Sequence, residues 1–180
     1  MATPKSAQIF KRLDELELSL CLLFNRASHR LIIKRFFAFI SRLGDGVFWY
    51  VLMLTFALLD FPHGVLAALH MGLVSLLSLY IYRFLKGRMI RQRPSITWSR
   101  IRRGTAPLDL YSFPSGHTLH ATSFTIIALF YYPGLSWLLI PMAGLIALSR
   151  VILGLHYPSD VAVGALIGAG LSLASVELLY

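Results

Sequence analysis

Apolar residues recur at helical spacing from the start of the chain. Ile9, Phe10, Leu13, Leu16, Leu20, Leu23 and Phe24 share one face of residues 6–26, and Lys11, Asp14, Glu15 and Arg26 fall largely elsewhere. Over residues 30–43, Lys34, Arg35, Ser41 and Arg42 form a polar stripe opposite Phe36, Phe37, Phe39 and Ile40. Both patterns predict amphipathic helices lying in a membrane interface. Gly44-Asp45-Gly46 breaks the pattern, and longer apolar runs follow. Five spans are expected, at about 46–60, 64–85, 115–131, 135–153 and 158–178, the first short enough to borrow residues from the break before it. FPHG (61–64) and YYPG (131–134) read as tight turns, so their flanking spans run antiparallel. The pattern predicts an all-α integral membrane protein: interfacial helices over residues 1–45, then about five transmembrane helices over 46–180.

Composition agrees, since 57% hydrophobic and 14% charged residues in a chain of 180 exclude an ordinary soluble domain. No cleavable signal pattern is expected at the N-terminus, which lacks a continuous apolar stretch. The single cysteine, Cys21, rules out an intramolecular disulfide or a cysteine-based metal cluster and reads as a packing residue.

Charge sets the orientation. All 17 Lys and Arg fall on one face of the predicted bundle or at its edge; the other face carries only Asp60, His63 and Glu177 among its acidic, basic and histidine side chains. The positive-inside rule places the basic face in the cytosol. The net charge of +9 is therefore assigned to anionic lipids and a phosphate-bearing substrate, not to nucleic acid.

Three groups gather on that face. The first, Lys86 to Arg93-Pro94, leaves the second span; the second is Pro114-Ser115-Gly116-His117; the third runs from Ser149-Arg150 through His156 to Asp160. Pro114 is expected in the first turn of a helix, where Ser115 and Gly116 present free N–H groups to an anion. Lys86, Arg93 and Arg150 can surround a phosphate and neutralise its oxygens. His156, before Pro158, is expected at an exposed helix mouth, with Asp160 accepting its other ring N–H and leaving the attacking nitrogen unprotonated. His117 can then protonate a leaving alkoxide.

In order and spacing, K-x6-RP, PSGH and SR-x5-H-x3-D resemble the signature of the type 2 phosphatidic acid phosphatase (PAP2) superfamily. The resemblance implies a PAP2-like helical bundle acting without cofactor or metal. Lys86, Arg93, Ser115, Gly116 and Arg150 would bind phosphate, His117 would be the general acid, His156 the nucleophile and Asp160 its orienting partner. It further implies a multi-pass protein of a bacterial cytoplasmic membrane that hydrolyses a lipid phosphomonoester or diphosphate through a phosphohistidine. The candidate lipids are phosphatidylglycerophosphate, phosphatidate and polyprenyl phosphate derivatives. Relatives in bacteria commonly face the site away from the cytosol, whereas the charge distribution here points inward.

Two alternatives remain on the sequence alone: a lipid phosphotransferase using the same site, and a non-enzymatic lipid-binding or transport protein. Arg83, Arg88, Arg91, Arg100, Arg102 and Arg103 read as a lipid-facing rim, and Ser112 and Tyr111 as possible headgroup contacts. His70 and His120 read as packed inside the bundle, with His117 and His120 lacking further donors for a metal.

Overall fold

The computed structural model describes residues 5–107 and 109–179, and the regular structure among them is helical. In chain order the helices are α1 (Lys5–Asn25), α2 (Leu31–Arg42), α3 (Phe48–Leu59), α4 (His63–Arg88), the single turn α5 (Pro94–Thr97), α6 (Gly116–Tyr131), α7 (Ser136–Ile152) and α8 (Pro158–Leu179). The break at residues 44–46 is a kink within one longer rod: a π turn over Leu43–Val47 joins α2 to α3, and Gly46 there takes φ 125°, which glycine alone adopts readily. Among the described residues four helical stretches are long and apolar enough to cross a membrane: Leu31–Leu59, His63–Arg88, Pro133–Ile152 and Pro158–Leu179. The short first span thus gains its length from α2.

The remaining expected span, α6, has 16 residues and is about 24 Å long. It is the hub, packed against α4, α7 and α8. The α6–α8 contact depends on small residues. A Cβ added at Gly164 or Gly168 would collide with the carbonyl oxygens of Ser115 or Leu119. Ser123 Oγ donates to Gly168 O at 3.2 Å, and Ser172 Oγ returns a bond to Ser123 O at 3.3 Å. Close backbone approach is the usual adhesive between helices in lipid, where apolar burial supplies little drive. The core around this pair includes Trp49, Phe56, Met71, Phe124, Ile127, Leu139 and Ile146, with Trp49 stacked on Phe124 at 5.2 Å between centroids.

Leucines are turned outward along the bundle, among them Leu59, Leu73 and Leu166. Helix α1 follows the same rule: Leu16 is 75% exposed, whereas Asp14 is buried. Asp14, Glu17 and Asn25 point into the protein, whereas Lys11, Arg12, Glu15 and Ser19 are exposed. Asn25, at the end of α1, donates through Nδ2 to Arg102 O and Ile152 O, both at 2.9 Å, and accepts from Arg102 N at 2.9 Å. The loop after α5 and the end of α7 are thereby held to α1.

Candidate active site

The site lies where α4 and α7 end and α6 and α8 begin, so alternating helix direction brings distant sequence segments to one level. Lys86 in the last turn of α4 donates to Asp109 Oδ2 and to Tyr82 Oη, both at 2.7 Å. Tyr82 also donates to Asp109 Oδ2. Arg93, 1% exposed, places NH2 2.6 Å from Asp109 Oδ1 and NH1 2.7 Å from Leu155 O. Asp109 therefore pairs with both cations, and its single charge offsets one of the two. Burial opposes ionisation of its carboxyl, but the bonds from Lys86 and Tyr82 and the charges of Lys86 and Arg93 hold it below the usual carboxylate range.

Arg150 is different. It is 3% exposed, and its NH1 donates to Ser41 Oγ while its Nε finds no acceptor. Of the four buried cations Lys86, Arg91, Arg93 and Arg150, it alone has no carboxylate within ion-pair distance among the described residues. Its carbonyl accepts from the backbone N–H groups of Leu155 at 3.0 Å and His156 at 3.1 Å, which fixes the turn carrying His156.

The His156 ring is 2% exposed, so the helix mouth expected to be open is closed over it. Nε2 lies 3.2 Å from Arg93 NH1. A guanidinium can only donate, so Nε2 is the acceptor and the ring proton resides on Nδ1. Burial, followed by the charges of Arg150, Arg93, Lys86 and His117, pushes the imidazole well below its ordinary value. The ring is neutral, with a lone pair at Nε2. Asp160 Oδ2 stands 3.7 Å from Nδ1, an ion-pair separation beyond hydrogen-bond reach.

The Asp160 carboxylate is held by other groups. Oδ2 accepts from Tyr157 N at 2.8 Å, and Oδ1 pairs with Arg91 NH1 at 2.5 Å. Arg91 was expected on the lipid-facing rim, and here the structure corrects the sequence. It is 1% exposed and also binds Asp14 Oδ1 through NH2 at 2.8 Å and Glu17 Oε2 at 2.7 Å. Its guanidinium lies over the Tyr157 ring, 4.0 Å from the centroid. Glu17 Oε1 accepts from Ser159 N at 2.6 Å, capping the start of α8. The acidic face of α1 thus reaches the site through one buried guanidinium.

The PSGH segment departs from expectation by one position. Pro114 lies outside the helix, Ser115 is the N-cap and Gly116 is the first residue of α6. Ser115 N donates to Asp160 O at 3.0 Å, tying the starts of α6 and α8 together. Its Oγ lies 3.0 Å from Thr118 Oγ1. The N–H groups of Gly116 and His117 remain at a helix mouth without intrahelical acceptors. A Cβ at residue 116 would meet Tyr82 Cε2 at 2.7 Å, so a larger residue there would displace the Tyr82 ring. His117 Nε2 is 2.5 Å from Asp45 Oδ1.

Two cavities meet at that pair. One, of about 160 Å³, is lined by Ser41, Asp45, Thr105, His117 and Arg150. The other, of about 260 Å³, has Tyr50, Leu79, His120 and Phe124 on its walls beside Asp45 and His117.

Lys86, Arg93, Ser115, Gly116, His117, Arg150, His156 and Asp160 are all placed at this end of the bundle. Sequence reasoning missed Tyr82, Asp109, Asp45, Asp14 and Glu17. A signal for Asp109 existed, because it is the lone acidic residue between Asp60 and Asp160. Ser112, expected at a headgroup, is buried and donates to Gln92 O at 3.1 Å. His70 is packed between Tyr131 and Ser175, and His120 is stacked on Phe124. Among the described residues no three His, Cys, Asp or Glu side chains converge as a metal-binding group.

Fold and site together define an all-α membrane protein with a cationic, histidine-bearing pocket at one end of its bundle. The PAP2 superfamily model matches residues 67–180, and the chain belongs to that superfamily. Aquifex aeolicus LpxE shares the fold at a TM-score of 0.75 and 30% identity, over 90% of this chain and 95% of that one. A PAP2-type phosphatidylglycerolphosphate phosphatase from Bacillus subtilis superposes at a TM-score of 0.65 with 23% identity, over 94% of this chain and 86% of that one. An undecaprenyl-diphosphatase of Sulfolobus acidocaldarius is 41% identical over 73 residues, 40% of this chain and 35% of the relative. A decaprenylphosphoryl-5-phosphoribose phosphatase of Mycobacterium tuberculosis is 50% identical over 62 residues, 32% of each chain. The chain spans about a third of the length of these curated relatives.

Proposed function

We propose that the chain is a lipid phosphate phosphatase, hydrolysing a phosphomonoester or diphosphate of a membrane lipid through a phosphohistidine. The observation that carries this reading is Arg150: a buried guanidinium without a carboxylate partner among the described residues, whose backbone carbonyl holds the turn of a neutral His156. Burying a charge uncompensated is costly, and a phosphate dianion supplies the missing countercharge. Lys86 and Arg93 share Asp109 and can turn toward the same anion.

His156 Nε2 attacks phosphorus in line, and the P–O bond to the lipid breaks. The leaving oxygen takes the electron pair and a proton from His117. Water then attacks the phosphohistidine and returns its proton to His117, and the N–P bond breaks to release inorganic phosphate. Asp160 offsets the positive charge that develops on His156, and Arg93 and Arg150 hold the equatorial oxygens. The second cavity, with Tyr50, Leu79 and Phe124, suits an apolar chain beside the leaving oxygen. Two of the matched relatives are named for polyprenyl substrates, which makes a polyprenyl phosphate or diphosphate the first candidate.

The decisive experiment measures phosphate release by detergent-purified protein across polyprenyl diphosphate, polyprenyl phosphate, phosphatidate and phosphatidylglycerophosphate, with and without EDTA. Release from at least one lipid, unchanged by EDTA, is expected. A complete loss restored by metal contradicts the scheme.

The proposed orientation, with the basic end in the cytosol, has its own test. On a Cys21→Ser background, a membrane-impermeant maleimide added to sealed cells should label Gly134→Cys and not Ser99→Cys, both positions being exposed. The reverse pattern places the site on the outer face.

A further inference from the structure

We propose that Asp45 is the positioning residue of the proton donor: its carboxylate holds Nε2–H of His117 and leaves Nδ1 as the nitrogen that serves the leaving oxygen. The inference rests on the phosphatase reading above and adds to it a residue outside the three sequence motifs.

The π turn is shaped around the His117 ring. A Cβ at Gly44 would come within 3.3 Å of His117 Cδ2 and 2.9 Å of Ile146 Cγ2, so a side chain there would press on the ring edge and displace Ile146. The next residue then meets the adjacent ring atom, Asp45 Oδ1 on Nε2 at 2.5 Å. Gly46 takes φ 125° and returns the chain to helix within one residue. The three residues that break the helical pattern thus deliver one carboxylate to one ring nitrogen. The His117 side chain is 10% exposed and that of Asp45 37%. The carboxylate therefore retains some contact with solvent, while the ring it holds does not swing freely.

Location supports the role. The pair stands in the wall between two cavities, one bordered by Arg150 and the other by Tyr50 and Phe124. A phosphate held at Arg150 with its chain among Tyr50 and Phe124 has its bridging oxygen beside His117. Charge supports it as well. Burial and the guanidinium charges of Arg150 on α7 and Arg93 on the loop after α4 surround the His117 ring. Asp45, on the turn between α2 and α3, is the carboxylate in contact with the ring. It compensates an imidazolium that these neighbours oppose. During the first step the Nδ1 proton passes to the leaving oxygen as the P–O bond breaks, leaving neutral His117 with Nε2–H still on Asp45. During the second step a water proton returns to Nδ1 as the oxygen–phosphorus bond forms and the N–P bond of His156 breaks.

Leaving-group dependence tests this, because an alkoxide needs a proton and a nitrophenolate does not. The probes are dodecyl phosphate and 4-dodecyl-2-nitrophenyl phosphate, which carry the same chain, assayed with the full-length protein. Asp45→Asn should lower kcat/KM, which reports phosphoryl transfer to His156 and not the later hydrolysis common to both esters, by about 100-fold for the alkyl ester and by less than about 5-fold for the nitrophenyl ester. Asp45→Glu should recover part of the alkyl-ester rate. Equal losses on the two esters, or no loss on either, overturn the role of Asp45 while leaving the phosphatase reading in place. Failure of the wild type to release phosphate from these esters and from every lipid of the panel above removes that reading and this inference with it.

Discussion

Replacing His156 with alanine is expected to reduce phosphate release by about 10⁴-fold or more, because the covalent intermediate forms on its Nε2. The structure supplies the reasons. Nε2 carries the lone pair, as its hydrogen bond from Arg93 NH1 at 3.2 Å requires. Burial and the surrounding cations keep the ring neutral, with its ionisation well below the ordinary histidine value. Because the reactive form is the unprotonated one, its population persists as pH falls through about 6.5, where an exposed histidine would titrate. The kcat/KM profile of the wild type should therefore show no acid limb at that pH from this residue. The same depression has a stability consequence: below about pH 6.5 the unfolded chain takes up a proton that the folded chain refuses, so acid destabilises the fold through His156. Folding of the alanine variant should survive at neutral pH, since Arg93 keeps its bonds to Asp109 and Leu155 O. Rate, thermal midpoint and gel-filtration profile are measured together. Wild-type turnover by a folded His156→Ala protein refutes the phosphohistidine scheme.

The second large effect is expected at Arg91. Its guanidinium is the shared partner of Asp14, Glu17 and Asp160, of which Asp160 is fully buried. Arg91→Ala takes the guanidinium from the Asp160 carboxylate, which keeps the Tyr157 N–H at 2.8 Å, and leaves Asp14 and Glu17 of α1 without their buried cation. Removing one member of a buried ion pair typically costs about 3–5 kcal/mol, so the thermal midpoint should fall by on the order of 10 °C. Activity should fall with it, because Asp160 no longer stands fixed beside Nδ1 of His156. Arg88→Ala is the control. Arg88 is exposed, with its guanidinium over the Phe84 ring, and its removal should change stability by less than about 1 kcal/mol. An Arg91→Ala variant as stable as Arg88→Ala would show that the buried network holds neither α1 nor Asp160.

These two residues differ in how they could be read. His156 stands in a motif whose spacing, from Ser149-Arg150 to Asp160, reflects a local necessity: a helix must end, turn and restart within that distance. Spacing of that kind is visible along a single chain. Arg91 has no such mark. In the sequence it is one of eight basic residues between 83 and 103, without an acidic residue among them. Its partners come from α1 and α8, far away in the chain, so its burial followed only from packing.

Asp109 and Asp45 were intermediate. Both are isolated carboxylates in polar breaks, and the isolation of Asp109 between Asp60 and Asp160 was a usable sign. Helix α1 shows the limit of periodicity most clearly. Its hydrophobic stripe was correctly legible, but which face meets protein depends on the solvent. In a bilayer the apolar face can turn outward, and Asp14 and Glu17 turn in toward Arg91.

By itself the sequence determined the helical membrane class, the approximate extent of the long apolar helices and the residues of the three motifs. Apolar run length, turn residues and motif spacing are properties of neighbouring positions along one chain. Only the tertiary structure decided which carboxylate meets which cation: Asp109 with Lys86 and Arg93, Arg91 with Asp14, Glu17 and Asp160, Asp45 with His117, and, among the described residues, none with Arg150. Ion pairing acts over a few ångströms in space whatever the separation in sequence, so these choices appear only once the helices have packed.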